Sequence, residues 1–195
     1  MAFRGIIFDM DGTITAPYLE FAKIKGVAGI DASVDLLDYL RTVTGKEYER
    51  VHSVLRKFEE DGVVNAQLNR GARTLLRYLR RQGLPTALLT RNSRRSVDGV
   101  CQKLELKFDV TVTREDGPHK PAPEPIWEIA KQWKLKQREL LMVGDYKWDV
   151  QCAKNAGIPC AVLWDTGELP EWARGARYHI RRLTEVIKLI EQEAT

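Results

Sequence analysis

The amino-acid sequence predicts an α/β fold: a Rossmann-like, doubly wound parallel sheet core with a small α-helical insertion. Two observations predict the core. Short β-branched runs alternate with amphipathic stretches, and most of the runs are apolar at consecutive positions. Strands covered on both faces need such runs, and strand–helix alternation is how a parallel sheet is connected. A third observation predicts the insertion: from about Ala16 to Asn69 there is no good strand, only helical periods.

In chain order, Gly5-Ile6-Ile7-Phe8 reads as the first buried strand. In the insertion, Val34, Leu37 and Leu40 mark one helical face, and Tyr48, Val51, Leu55 and Phe58 mark another. The chain is expected to return to the core at a helix opening near Gly71, so that residues 1–15 and 70–195 make the core and 16–69 the insertion. Gly83 sits where that helix should end, before a strand at Pro85-Thr86-Ala87-Leu88-Leu89. Val97, Val100, Cys101 and Leu104 then repeat at helical spacing behind Ser93, a suitable N-cap. Phe108-Asp109-Val110-Thr111-Val112 reads as the third strand. Ile126, Ile129, Ala130 and Trp133 give the next helix, with Pro123 near its start, where proline is tolerated. Leu140–Val143 and Cys160–Trp164 complete the strong strands, with Gly157 closing the helix between them. Tyr178-His179-Ile180 is a weaker sixth strand.

Composition narrows the class. At 195 residues the chain buries enough surface to fold without a disulfide or metal staple. Hydrophobic residues at 44% and charged residues at 30% exclude a disordered or collagen-like chain. No apolar run is long enough to span a bilayer, so no membrane partner is expected. Met1 leads within a few residues into a core strand, which argues against a secretory signal and for a cytoplasmic protein. Cys101, Cys152 and Cys160 form no CxxC pair and read as reduced, buried small hydrophobes. The net charge of +4 is mild, so nucleic acid is not indicated as a partner. Arg70, Arg73, Arg77, Arg80 and Arg81 make a basic stripe opposite Leu75, Leu76 and Leu79. Such a stripe is usually a solvated helix face, and no tryptophan is interleaved with it as a base-stacking surface would require. No feature specifies an oligomer.

The chemistry lies at strand ends. The first strand ends in Asp9-Met10-Asp11-Gly12-Thr13, the second in Thr90-Arg91-Asn92-Ser93, and the fourth in Gly144-Asp145, with Asp149 four residues on. His119-Lys120-Pro121 precedes the helix at Pro123. The carboxyl edge of an open parallel sheet is where ligands bind, so three carboxylates, a hydroxyl and a lysine should converge on one crevice. A single Asp after a strand is usually a turn or cap residue, and Thr90 could equally be a cap; the combination is what carries weight.

These residues resemble the signature of the haloacid dehalogenase superfamily, in its phosphatase branch. DxDG[TV], Ser/Thr after a strand, Lys, and a paired-acid GDxxxD occur here in order as Asp9–Thr13, Thr90, Lys120 and Asp145–Asp149. Thr15 departs from the pattern, since relatives often carry an acid there. The insertion looks like the family's cap, and the whole resembles phosphoglycolate-phosphatase-like members. The resemblance implies a Mg²⁺ cofactor held by Asp9, Asp145 and the main-chain carbonyl of Asp11, because Mg²⁺ prefers hard oxygen ligands. It implies Asp9 as nucleophile, passing through an aspartyl phosphate, and Asp11 as acid and base. Thr90, Arg91, Asn92 and Lys120 would hold the substrate phosphate, and Asp149 would orient Lys120 or a metal-bound water. His119 has no role in this scheme and reads as a loop residue.

The implied function is hydrolysis of a small phosphate monoester, with Tyr18, Phe21 and the insertion's helices facing the substrate. A sugar-phosphate mutase would share all four motifs. A dehalogenase would need no metal, and a phosphonate hydrolase would need a cap lysine in a motif that Lys23, Lys25 and Lys46 do not form. A phospho-receiver domain carries its Asp on a later strand. A basic RNA-binding module that kept the core without turnover is the alternative of another class.

Overall fold

The computed structural model describes residues 2–193. Six parallel strands form one sheet: β1 (Gly5–Phe8), β2 (Thr86–Leu89), β3 (Val110–Val112), β4 (Leu140–Gly144), β5 (Cys160–Leu163) and β6 (Tyr178–Ile180). Their spatial order is β3-β2-β1-β4-β5-β6. The chain moves outward from β1 through β2 to β3, then returns to β4 on the other side of β1. That reversal leaves a crevice between the carboxyl ends of β1 and β4, where doubly wound folds bind ligands.

The period of two along each strand sorts the core into layers. Ile6, Phe8, Leu88, Leu141 and Val143 face one side with Leu75 and Leu79 of α4 (Ala72–Arg81) and Val97 and Val100 of α5 (Arg94–Leu104). Ile7, Ala87, Leu89 and Met142 face the other with Ile126 and Ile129 of α6 (Glu124–Trp133) and Val150 and Ala153 of α7 (Lys147–Ala156). A terminal helix, α8 (Glu185–Glu193), adds Val186 and Ile190 to the first layer. Ser93 caps α5, its side chain accepting from the Ser96 amide at 3.2 Å.

Between β1 and α4 lie three helices, α1 (Phe21–Val27), α2 (Leu36–Thr42) and α3 (Gly45–Asn65), with an apolar cluster of their own around Ile24, Leu37, Leu40, Val51 and Leu55. Several boundaries differ from expectation. Val34 precedes α2, because Asp35 starts that helix by accepting from the Leu37 and Asp38 amides. The α3 helix runs past Phe58 to Asn65, and the chain adds two helices, α1 and α8, that the apolar spacing does not predict. Phe108 and Asp109 lie outside β3; the Asp109 carboxylate instead accepts from the Thr86 amide at 2.7 Å and holds the start of β2. Cys152 and Cys160 are buried as expected, but Cys101 is only half-buried. Leu75 and Leu79 are buried beneath the arginine stripe, while Arg73, Arg77 and Arg80 edge a groove at the amino end of β2, remote from the carboxyl-end crevice.

Candidate active site

Three of the chemically loaded residues follow buried strands directly. Asp9 follows β1, Thr90 follows β2 and Asp145 follows β4, so the parallel registers of β1 with β2 and β4 bring all three to one edge. Lys120, which precedes a cis bond to Pro121, reaches the same place from the loop before α6. It is 3% exposed, and its ammonium donates to Asp9 Oδ1 and, at 2.6 Å, to Asp149 Oδ1. Asp149 is 1% exposed; its second oxygen accepts from the Tyr146 amide at 3.0 Å, which fixes the carboxylate from the first turn of α7.

One carboxylate oxygen from each of Asp9, Asp145 and Asp149 lies within 4.8 Å of the others. Burial raises the carboxyl pKa of Asp9 to about 6, against the pull of Lys120, and neighbouring Asp149 adds to the rise. Burial, with Asp9 and Asp149 adding, takes Asp145 to about 8. Burial opposes the Lys120 charge, yet Asp149 and Asp9 hold it above the ordinary lysine range. One lysine thus faces three carboxylates. An all-oxygen set with surplus negative charge fits a hard divalent cation such as Mg²⁺. Lys120 takes one oxygen of Asp9 and Thr13 one oxygen of Asp145. Both oxygens of Asp149 are engaged, by Lys120 and by the Tyr146 amide, so Asp9 and Asp145 are the better placed to hold the cation.

Two glycines exist for close approach. Gly12 has φ +88°, and a Cβ there would sit 2.1 Å from Asp145 Oδ2. A Cβ on Gly144 would lie 2.3 Å from Asp149 Cγ. Thr13 donates to Asp145 Oδ1 at 2.7 Å, and Asn69 donates to the Gly12 carbonyl at 3.0 Å, tying the loop after β1 to both neighbours.

Asp11 stands apart from the three clustered carboxylates. Its oxygens accept from the amides of Tyr18 at 2.8 Å and Leu19 at 3.2 Å, where the chain enters the helical insertion. Burial still dominates and raises its pKa to about 7. A carboxyl that titrates near neutrality can both give and take a proton.

A cavity of about 320 Å³ opens over this group. Asp9, Asp11, Thr90, Arg91, Asn92, Lys120, Asp145 and Asp149 all line it, so the residues expected to hold metal or phosphate or to act in catalysis share one space. Thr90 is not the helix cap; its hydroxyl accepts from the Asn92 amide at 3.2 Å, and Ser93 caps instead. Arg91 is engaged by the insertion, where its guanidinium pairs with Asp35 at 2.5 and 3.1 Å. Phe21 lines the cavity as expected, but Tyr18 does not; its hydroxyl accepts from Asn92 Nδ2 at 2.8 Å. Phe58 packs within the insertion's own cluster, and no α3 residue reaches the cavity wall. His119 is in a loop, but buried, with Nδ1 against the Lys120 carbonyl.

Sequence reasoning missed the support beneath the Thr90–Ser93 loop. Glu59 of α3, 2% exposed, accepts from the Ser93 amide and hydroxyl at 3.2 and 2.7 Å. Arg114 donates to both Glu59 oxygens, while its own amide donates to the Asn92 carbonyl at 3.2 Å. A glutamate at a core position of the Val51–Leu55 face was the available signal, because a buried charge needs a partner.

The chain is similar to known hydrolases. A haloacid dehalogenase-like hydrolase domain-containing protein of Arabidopsis thaliana is 31% identical over 176 residues, covering 84% of this chain and 72% of the relative. An uncharacterized hydrolase of Saccharomyces cerevisiae is 31% identical over 198 residues, covering 96% and 91%. The pyrophosphatase PpaX of Bacillus cereus is 33% identical over 187 residues, covering 84% and 85%. Among solved structures, a hydrolase from Pseudomonas syringae superposes with a TM-score of 0.82 at 20% identity, covering 98% of this chain and 100% of that one. A protein described as a predicted phosphoglycolate phosphatase from Haemophilus somnus gives 0.76 at 18% identity, covering 96% and 97%. The family model for haloacid dehalogenase-like hydrolases matches residues 3–157, a span that holds Asp9, Asp11, Thr90, Lys120, Asp145 and Asp149. This chain belongs to the haloacid dehalogenase-like hydrolase family.

Proposed function

We propose that this hydrolase is a Mg²⁺-dependent phosphatase that cleaves a small phosphate monoester through an aspartyl phosphate on Asp9. The observation that carries this reading is the clustering of Asp9 with Asp145, Asp149 and Lys120 at the β1/β4 switch point, with Asp11 two residues along and turned away. Phosphatase and pyrophosphatase names among the relatives and neighbours support phosphate as the group transferred.

In this mechanism Asp9 and Asp145, with the Asp11 carbonyl, would hold Mg²⁺. The ion would supply charge that lets a carboxylate approach an anionic phosphoryl group. Lys120 and the Thr90 hydroxyl bind phosphoryl oxygens, and Asn92 and its amide shape the same loop. An Asp9 oxygen attacks phosphorus as the P–O bond to the leaving group breaks. Asp11 gives its proton to the departing oxygen, then takes one from the water that cleaves the aspartyl phosphate and releases inorganic phosphate. Asp149 keeps Lys120 in place throughout.

The helical insertion acts in this scheme as a cap spanning residues 16–69. Pro17, Leu19, Phe21, Leu36 and Leu37 supply the apolar wall above the carboxylates, which excludes water and contacts the organic part of the substrate. The test is hydrolysis of p-nitrophenyl phosphate by metal-free protein with and without Mg²⁺. Activity that EDTA removes and Mg²⁺ restores is expected; full activity in EDTA overturns the assignment.

A further inference from the structure

A second groove, of about 710 Å³, lies at the amino end of β2, at the opposite end of the strands from the carboxylates. Two chain segments bound it. One is α4, whose Arg73, Arg77 and Arg80 recur at i, i+4 and i+7 and so stand in one row about 10 Å long. The other is the connection from α5 to β3, which brings Lys107 together with Glu105 and Asp109. Leu76, Leu84, Leu106 and Phe108, each half-buried, give the groove an apolar lining. Four cations thus meet two carboxylates, and Asp109 is already occupied, accepting from the Thr86 amide and hydroxyl at 2.7 and 3.2 Å. Arg73 donates to a neutral group, the Leu104 carbonyl, at 3.2 Å. Arg77 and Arg80 are exposed and have no ion pair among the described residues, whereas the exposed Arg50, Arg95 and Arg177 pair with Glu47, Glu60 and Glu193. Glu191 lies on the α8 side of α4, where Tyr78 donates to it at 3.4 Å, and does not line the groove.

An arginine row beside an apolar channel is complementary to a segment with one acidic edge and one apolar face, the pattern of an amphipathic helix. Nucleic acid fits less well. Its charge is continuous, so it would meet Glu105 and Asp109 as well as the arginines, and its bases would find only the half-buried Phe108 to stack on. We propose that this groove docks an acidic amphipathic helix of a partner protein. Its carboxylates face Arg73, Arg77 and Arg80, and its apolar side chains enter against Leu76, Leu84 and Leu106. The groove and the catalytic crevice share no residue, so a partner held here leaves the crevice open and acts as a tether, not as a substrate.

The probe is a fluorescein-labelled peptide, stapled into a helix, that carries a row of Glu beside a row of Leu at helical spacing over about 14 residues, roughly 21 Å. Titrated with the full chain at low salt, it should give a saturable rise in anisotropy. Binding should weaken at least about fivefold in about 0.5 M salt, where screening reaches only a few ångströms. Arg77→Glu/Arg80→Glu turns two attractions into repulsions and should weaken binding by about tenfold or more, while the thermal midpoint shows that the variant still folds. Serine in place of the peptide's leucines should cost a similar factor, which separates docking in the groove from attraction by charge alone. Amide shifts in the labelled protein should concentrate at Leu84, Leu106 and Lys107. No saturable binding up to about 1 mM, the weak end of specific contacts, overturns the proposal. So does binding that survives the double substitution or ignores the loss of the leucines. Single-stranded RNA that binds more tightly than the peptide, and loses its affinity through the same two substitutions, overturns it in favour of nucleic acid.

Discussion

Glu59→Ala is the substitution that most directly probes how the helical insertion supports the core. Glu59 accepts two bonds from Ser93 and two from Arg114, and all these groups lie under the Thr90–Ser93 loop. The Arg114 side chain is 12% exposed and the Glu59 side chain 3%, so the pair is effectively out of water. Removing one member of such a pair strands the other, at a cost of about 3–5 kcal/mol. The lower end is the better expectation, because Arg114 Nε already lies 4.0 Å from the half-exposed Glu115, which can take over part of its charge. With an m-value of about 2.5 kcal/mol/M, the urea midpoint should fall by about 1–2 M. The double variant Glu59→Met/Arg114→Leu removes both charges. It should recover at least about 1 kcal/mol over Glu59→Ala, although the Ser93 amide and hydroxyl remain without their acceptor. Paired urea melts of the wild type, Glu59→Met, Arg114→Leu and the double close the cycle and give the coupling energy. Single-variant shifts under about 0.3 M, or strictly additive losses, would refute the idea that this pair braces the loop.

Other expectations follow from the site. Asp9→Asn should abolish any covalent phosphoryl protein with every substrate, read by intact-protein mass spectrometry after acid quench. Asp11→Ala should slow alkyl phosphates by about 10²–10⁴-fold yet give a nitrophenol burst near one equivalent from p-nitrophenyl phosphate, since nitrophenolate leaves unprotonated. Equal losses on both esters without a burst would remove Asp11 from the acid–base role. Gly12→Ala places a methyl 2.1 Å from Asp145 Oδ2 at a positive φ, so it should raise the Mg²⁺ concentration needed for half activity well before it unfolds the protein. Burial pushes the Cys101 thiol up to about 11 and that of Cys152 to about 12, and Cys160 rises well above its ordinary value. Native protein at pH 8 should therefore react slowly with a disulfide reagent and release three equivalents only in denaturant. Rapid labelling of the native state would contradict that burial.

Residue pattern alone determined the sheet and the place of the chemistry. Runs such as Ile6-Ile7-Phe8 and Leu140–Val143 are apolar on both faces, and only a parallel sheet between helical layers buries both. Once those strands exist, the residues that follow them, Asp9, Thr90 and Asp145, are bound to share an edge. The helical insertion was legible as helical because its apolar residues repeat at i, i+3 and i+4, but its short α1 carries too few buried positions to announce itself, with Ile24 the one buried. Tertiary structure alone decided what these side chains meet. Arg91 pairs with Asp35, 56 residues away, Glu59 reaches Ser93 across 34, and Asp11 turns to the amides of Tyr18 and Leu19 rather than to its neighbour Asp9. Such contacts depend on how the insertion packs over the crevice, and packing is set by three-dimensional complementarity that no local spacing encodes. The same holds for the cluster's charge. Four aspartates and a lysine are ordinary ionised groups until burial removes their water; only then do Asp9, Asp11 and Asp145 titrate near neutral pH.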